Sequence, residues 1–313
     1  MAVLLAVATV SARQAAQAPP DTEIYLASLK MIDGAIELGA PVNITNNPGY
    51  DNQPFFTADG KGILFASVRG AAPGGAEGSL TRTDIYRYDI ASRATARVTE
   101  TAEGEYSPTA MLDGTRVSVI RVEADGTQRL ASIAPNGAKI QVDVILPDIK
   151  PVGYHAWADE RTVAMFVLGG NGQPATLQVG DTTTGTARTL ASDIGRSIQR
   201  IPGTGARAEI SFVQRERDGQ TVRLLVKKLN PATGAITTLT PAVDGSREAD
   251  LAWTPDGTLL MAKDGMLYGW KPGRTGWREA ASLQKLSLGA VTRIAVSPSG
   301  DSIALVASPR EPR

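Results

Sequence analysis

The chain contains no cysteine. Disulfides, thiolate nucleophiles and Cys-ligated metals are therefore excluded, and stability must come from packing alone. It contains one histidine, His155, which cannot complete a multi-histidine metal site. No excess of either charge is present, since 32 Lys and Arg balance 32 Asp and Glu without a long run of one sign. The phosphate-neutralising surface of a nucleic-acid binder is missing, and nucleic acid is excluded as the main partner. Nothing along the chain approaches the roughly 20 consecutive apolar residues of a membrane-spanning helix.

What is present points to strands. Hydrophobic residues make up 42% of the 313, enough to fill a core, while 32 Gly and 19 Pro are spread along the whole length. That distribution suits many short strands joined by turns and does not suit a helical protein. At the N-terminus an apolar run from Ala2 to Val10 is followed by the small residues Val10-Ser11-Ala12 and Ala16-Gln17-Ala18. This reads as a secretory signal peptide and implies a periplasmic or otherwise extracytoplasmic protein. Met1 leads straight into the run without basic residues, so an ordinary N-terminal strand or helix is the alternative. No Cys follows the run, which excludes a lipoprotein anchor.

A segment recurs along the chain. Its clearest copy is DNQPFFTADGKGILFASVRG, from Asp51 to Gly70. Copies begin again at Glu105, Glu248 and Val291, and weaker ones at Gly153 and Ser197. Taking Asp59, Asp113, Glu160, Gly203, Asp256 and Ser299 as the turn positions, the separations are 54, 47, 43, 53 and 43 residues. An Asp-Gly or Ser-Gly pair supplies the positive φ that a two-residue hairpin turn needs. A nearly continuous apolar run follows each turn, as in Ile63-Leu64-Phe65 and Ile303-Ala304-Leu305-Val306, which predicts a strand buried on both faces. Third strands are expected at Thr83 to Ile90, Thr221 to Leu229 and Met266 to Pro272, and fourth strands at Ala94 to Thr99, Thr186 to Leu190 and Ala235 to Thr240. Four antiparallel strands per unit make the blade of a β-propeller.

Only two strands of the last unit fit before Arg313. Thr22 to Lys30 matches the third-strand pattern and Ala40 to Thr45 the fourth. The expected fold is thus all-β, a six-bladed propeller of four-stranded antiparallel blades, closed by N-terminal strands pairing with the C-terminal blade. Residues 1–20 are read as a signal peptide or disordered segment and 21–313 as a single propeller, expected to be a monomer. The pattern D-x-x-P, then D-G, an apolar strand and D-I-Y, carried by Asp51 to Gly60, Thr83 to Ile90 and Glu248 to Gly257, resembles the TolB-like six-bladed propeller repeat. In that family the propeller follows an N-terminal α/β domain, for which the residues ahead of Thr22 are too few. The resemblance implies an exported, non-enzymatic propeller that binds a protein or peptide at its rim or channel mouth.

Eight positions before the turn stand Asp51, Glu105 and Glu248, with Val152, Gly195 and Val291 as the equivalents in the other units. Two readings stand. Each carboxylate caps a local turn, or the three form a partial acidic ring at one channel mouth that holds a hard cation such as Ca²⁺ or meets a basic peptide. The second reading carries the alternative function of a small-molecule or calcium-binding propeller, with a hydrolase resembling calcium-dependent propeller lactonases or phytases as one form of it. An orphan relative of the prolyl oligopeptidase propeller is a third. His155 lies near the same mouth, as a general base or ligand on one reading and a structural residue on the other. No G-x-S-x-G elbow or phosphate loop occurs. Gly70 to Gly78 and Gly169 to Gly172 read as hairpin insertions. Trp157 and Trp253 are expected in the core, and Trp270 and Trp277 partly exposed.

Overall fold

The computed structural model of the chain describes residues 20–32, 35–69, 82–134, 140–219 and 221–309. The glycine-rich stretch 70–78 and residues 1–19 lie outside them. The repeat folds as its pattern predicts. In the first blade Asp51–Phe56, Gly62–Ser67, Asp84–Asp89 and Thr95–Arg97 pair antiparallel in chain order, and five further sheets repeat the arrangement. The second strands are buried along nearly their whole length, Gly62–Ser67 at every position, because a neighbouring blade covers each face. Six apolar clusters, one at each interface between consecutive blades, form the core of the described residues. Phe65 and Phe212 are fully buried there, and burial of each such ring is worth about 2–3 kcal/mol.

The turns after the inner strands differ from the expected two-residue hairpins. The amides of Gly60, Gly114, Gly257 and Gly300 donate to Thr57, Met111, Thr254 and Ser297 carbonyls at 2.9, 3.0, 3.0 and 2.9 Å. These are wider reverse turns whose last residue is left-handed, with φ of 68°, 72°, 80° and 76°, which explains the glycines. In the three turns where Asp precedes the glycine, its side chain stabilises the turn, as where Asp59 accepts from the Lys61 amide at 3.1 Å.

Ring closure is as expected in its main strand. Glu23–Ile32 pairs with Ser302–Ala307 from Glu23 opposite Ala307 to Ser28 opposite Ser302, and Ser302–Ala307 pairs with Val291–Val296. The outermost strand departs from the expected Ala40 to Thr45. It is broken in two, Ala35–Leu38 pairing with Leu29 to Ile32 and Val42–Asn43 pairing with Tyr25 and Leu26. Gly39 and Pro41 stand at the break. A Cβ on Gly39 would lie 2.3 Å from Ser28 Oγ, so a larger residue there would force that hydroxyl to turn away where the chain crosses it.

A polar latch ties the closing blade to the first. The Thr22 hydroxyl donates to the Asp51 carbonyl at 3.0 Å. Thr45 Oγ1 accepts from the Ile24 amide at 3.0 Å and donates to the buried Glu23 carboxylate. Arg69 reaches Asp51 at 3.3 Å and the Thr45 carbonyl at 3.0 Å while its guanidinium lies over the Phe65 and Tyr86 rings. The same latch recurs one blade on. Thr83 donates to the Glu105 carbonyl at 2.7 Å, Thr99 Oγ1 accepts from the Ile85 amide at 2.8 Å and donates to Glu105 at 3.1 Å, and Arg121 stands 4.0 Å from Glu105. Asp51 and Glu105 thus join the third and fourth strands of one blade to the first strand of the next.

Burial raises the Asp51 carboxyl against the pull of Ser67 and Arg69. It pushes the Glu105 carboxyl up to about 7, against hydrogen bonds from Thr101 and Thr99. Folded Glu105 therefore keeps its proton over a range in which the unfolded chain has lost it. Its contribution to stability is fully present below the ordinary glutamate range, falls as pH rises toward about 7, and is constant above. Glu105→Gln retains an acceptor and cannot ionise. The fall in Tm between about pH 5 and pH 8 is expected to be smaller in this variant than in the native chain, measured by thermal melts; an equal fall would place the dependence elsewhere.

Candidate binding site at the channel mouth

Two residues beyond the position of Asp51 and its equivalents stand Gln53, Ser107, Tyr154, Ser197, Asp250 and Arg293, and all six line the central channel. Local backbone geometry turns them inward. Pairing with the second strand slips between Asn52 and Phe55, Tyr106 and Thr109, Val152 and Tyr154, Ile194 and Ile198, and Val291 and Arg293. Gln53 and Ser107 sit at φ of 59° and 50°. A bulge of this kind re-aims one side chain while the rest of the strand stays in register.

The channel encloses a cavity of about 460 Å³. Its polar end carries this ring together with Arg196. The lining beyond is mostly apolar, through Phe55, Ala156 and Ala252, and the far end is formed by Leu112, Pro202, Pro255 and Pro298. A second cavity of about 340 Å³ shares Tyr154 and Arg196 with the first and is walled by Phe166, Pro174, Val213 and Leu224, with Glu248 and Asp193 among its polar residues.

Side chains from opposite blades meet across the polar mouth. Arg293, in the sixth blade, donates to the Tyr154 hydroxyl of the third at 2.8 Å and lies 5.1 Å from that ring's centre. Asp250, in the fifth, stands 3.7 Å from Arg293 and 3.9 Å from Arg196, and accepts from the Ile294 amide at 3.2 Å. Arg196, in the fourth, donates to the Thr292 carbonyl at 3.1 Å. Burial drives the Asp250 carboxyl up, and the two arginines pull it back. Burial alone would lower the Arg293 guanidinium, but Tyr154, Asp250 and Tyr50 outweigh it and Arg293 stays cationic. Burial raises the nearby Tyr50 hydroxyl, which remains a neutral donor.

The four side chains singled out from the sequence go to different places. Asp51 and Glu105 are fully buried in the latches, where hydroxyl and guanidinium groups serve them. Glu248 is exposed on the mouth, 3.7 Å from Arg196. Among the described residues no three His, Cys, Asp or Glu side chains converge to hold a metal ion. His155 lines the channel but is buried, and burial pushes its pKa down to about 3. Its Nε2 lies 2.7 Å from Ser118 Oγ, which also accepts from Trp157 Nε1 at 2.9 Å. An equivalent bond joins Trp253 Nε1 to Ser211 Oγ at 2.8 Å, so this serine is an interblade staple of the repeat. Trp270 is buried, contrary to expectation, and the half-buried Trp277 donates to the Pro241 carbonyl at 2.7 Å.

No family model matches the chain, and no curated protein matches it. Solved structures do match. A putative TolB from Agrobacterium tumefaciens aligns with a TM-score of 0.64 over 93% of this chain and 99% of that one, at 13% identity. TolB from Acinetobacter baumannii aligns at 0.55 over 93% of this chain, which spans 65% of that protein's length, at 14% identity. An oligogalacturonate lyase in complex with manganese aligns at 0.56 over 93% and 92%, at 13% identity.

Ser118→Ala would strand the Trp157 and His155 nitrogens in the core. It is expected to cost about 1–3 kcal/mol for each group left without a partner, read as a lower urea midpoint; an unchanged midpoint would remove the staple role. By its blades and by these alignments the chain is a six-bladed β-propeller with the TolB-like fold.

Proposed function

We propose that this chain is an exported, non-enzymatic propeller that binds a protein or peptide partner at the polar mouth of its channel. The observation that supports this most is the ring itself. Six blades present a ring of polar side chains, Arg293 and Tyr154 are linked across the opening, and a cavity with apolar walls lies on either side. Such a combination of fixed polar groups and apolar walls suits recognition. The fold also serves an oligogalacturonate lyase, so side chains must decide between binding and catalysis.

They favour binding. The Ser118 and His155 pair is buried, and His155 Nδ1 has no protein partner to orient the ring as a base. Ser118 has no exposed surface to offer a substrate. Export rests on the apolar N-terminal run, which lies outside the described residues. No helix among the described residues is long and apolar enough to cross a membrane.

A photo-crosslinking residue at Glu248 on the polar mouth, with Leu112 at the opposite end as control, tests this in the native host. Capture of one partner from the first position and not from the second is expected. Repeated failure at Glu248 with folded protein, or equal capture from both positions, would contradict the reading.

A further inference from the structure

The charges at the mouth do not saturate one another. Arg196 and Arg293 face one carboxylate of their own ring, Asp250, and both stand 3.7–3.9 Å from it, beyond hydrogen-bond reach. Asp250 therefore offsets part of their charge and leaves their N–H groups free of it. Arg196 Nε is buried without a hydrogen-bond acceptor, Asp250 being 3.9 Å away, and the other carboxylate near Arg196, Glu248, is 66% exposed, where solvent screens it. Two guanidinium groups with about one net positive charge suit a singly charged, planar acceptor, which a carboxylate is and a phosphate dianion is not.

The surroundings narrow the source. On the channel side the walls next to the arginines include Ile198 and Ala252. On the other, Phe166, Val213 and Leu224 form an apolar wall, and Asp193, Arg215 and Glu248 line the rest of that cavity. An aliphatic side chain would bury well against Phe166, Val213 and Leu224; a uronate sugar, whose hydroxyls the polar lining could serve, is the competing source of a carboxylate.

The geometry points to a site for the free C-terminal carboxylate of a peptide, held between Arg196 and Arg293, with the last side chain in the cavity of Phe166, Val213 and Leu224. This rests on the mouth being the binding face. Tyr154 divides the two cavities and, through its bond to Arg293, holds that guanidinium toward the shared wall. The remaining peptide leaves past the exposed Glu248.

The test uses fluorescein-labelled Gly-Ala-Gly-Ala-Ala-Leu as the free acid, the same peptide as its C-terminal amide, an amidated version ending in Glu, and trigalacturonic acid as an unlabelled competitor, read by fluorescence anisotropy. The free acid is expected to bind about tenfold or more tightly than the amide, and Arg196→Gln to abolish the gap. Arg196 is the variant of choice because it is partly exposed; a thermal melt confirms its fold, and Arg293→Lys, which keeps the charge and loses the fork, should shrink the gap as well. Equal binding of acid and amide, or no saturable binding of the acid, overturns the site. Binding of the Glu amide as tight as the acid overturns the C-terminal assignment in favour of an acidic side chain, and displacement by trigalacturonic acid at lower concentration than unlabelled peptide overturns the peptide. Crosslinking from Glu248 can succeed while the acid and amide bind alike, in which case only the carboxylate assignment falls.

Discussion

Six blades form a ring only if the last can complete itself, and the pairing of Glu23–Ile32 with Ser302–Ala307 is the interaction that lets it do so. Without that strand the sixth sheet would expose Ser302–Ala307 as an unpaired edge, and Ile24, Tyr25 and Leu29 would leave the clusters on both sides of the blade. The latch at Thr22, Glu23, Thr45 and Asp51 fastens the same strand to the next blade. Closure is therefore secured twice, by a ladder of backbone bonds and by buried polar groups that find partners only when the strand is home.

The channel mouth inherits its geometry from closure. Arg293 belongs to the blade that the N-terminal strand completes, while Tyr154 belongs to the blade across the ring. Their contact can exist only in a closed circle of the right radius. The arrangement also separates two uses of carboxylates. Asp51 and Glu105 are buried and structural, whereas Asp250 and Glu248 stand among the arginines at the opening.

Much of this was legible in the sequence, for physical reasons. Blade period, apolar second strands and the closing strand near Thr22 follow from turn glycines and burial, which leave direct marks on residue type. Three features left weaker marks. The outer strand breaks where Gly39 passes over Ser28, a contact between strands that a single strand's pattern does not carry. The choice of Asp51, Glu105 and Glu248 was two residues off the ring that lines the channel, because the alternation of a regular strand does not hold where pairing slips. The repeat still held a signal: a polar residue stands two positions beyond Asp51 and each of its equivalents, Gln53 through Arg293. Finally, the burial of Asp51 and Glu105 depends on threonines supplied by the preceding blade and on arginines from the second strand region of their own blade.

Because the chain has no cysteine, closure can be tested with one engineered pair. Ser28 and Ser302 stand opposite each other at the seam, and Ser28→Cys with Ser302→Cys changes each side chain by one atom. Mild oxidation should give a monomeric, intramolecularly crosslinked chain that runs faster on a non-reducing denaturing gel and melts at a higher temperature than its reduced form. Oxidation that yields only free thiols or disulfide-linked dimers would contradict a ring closed by its N-terminal strand.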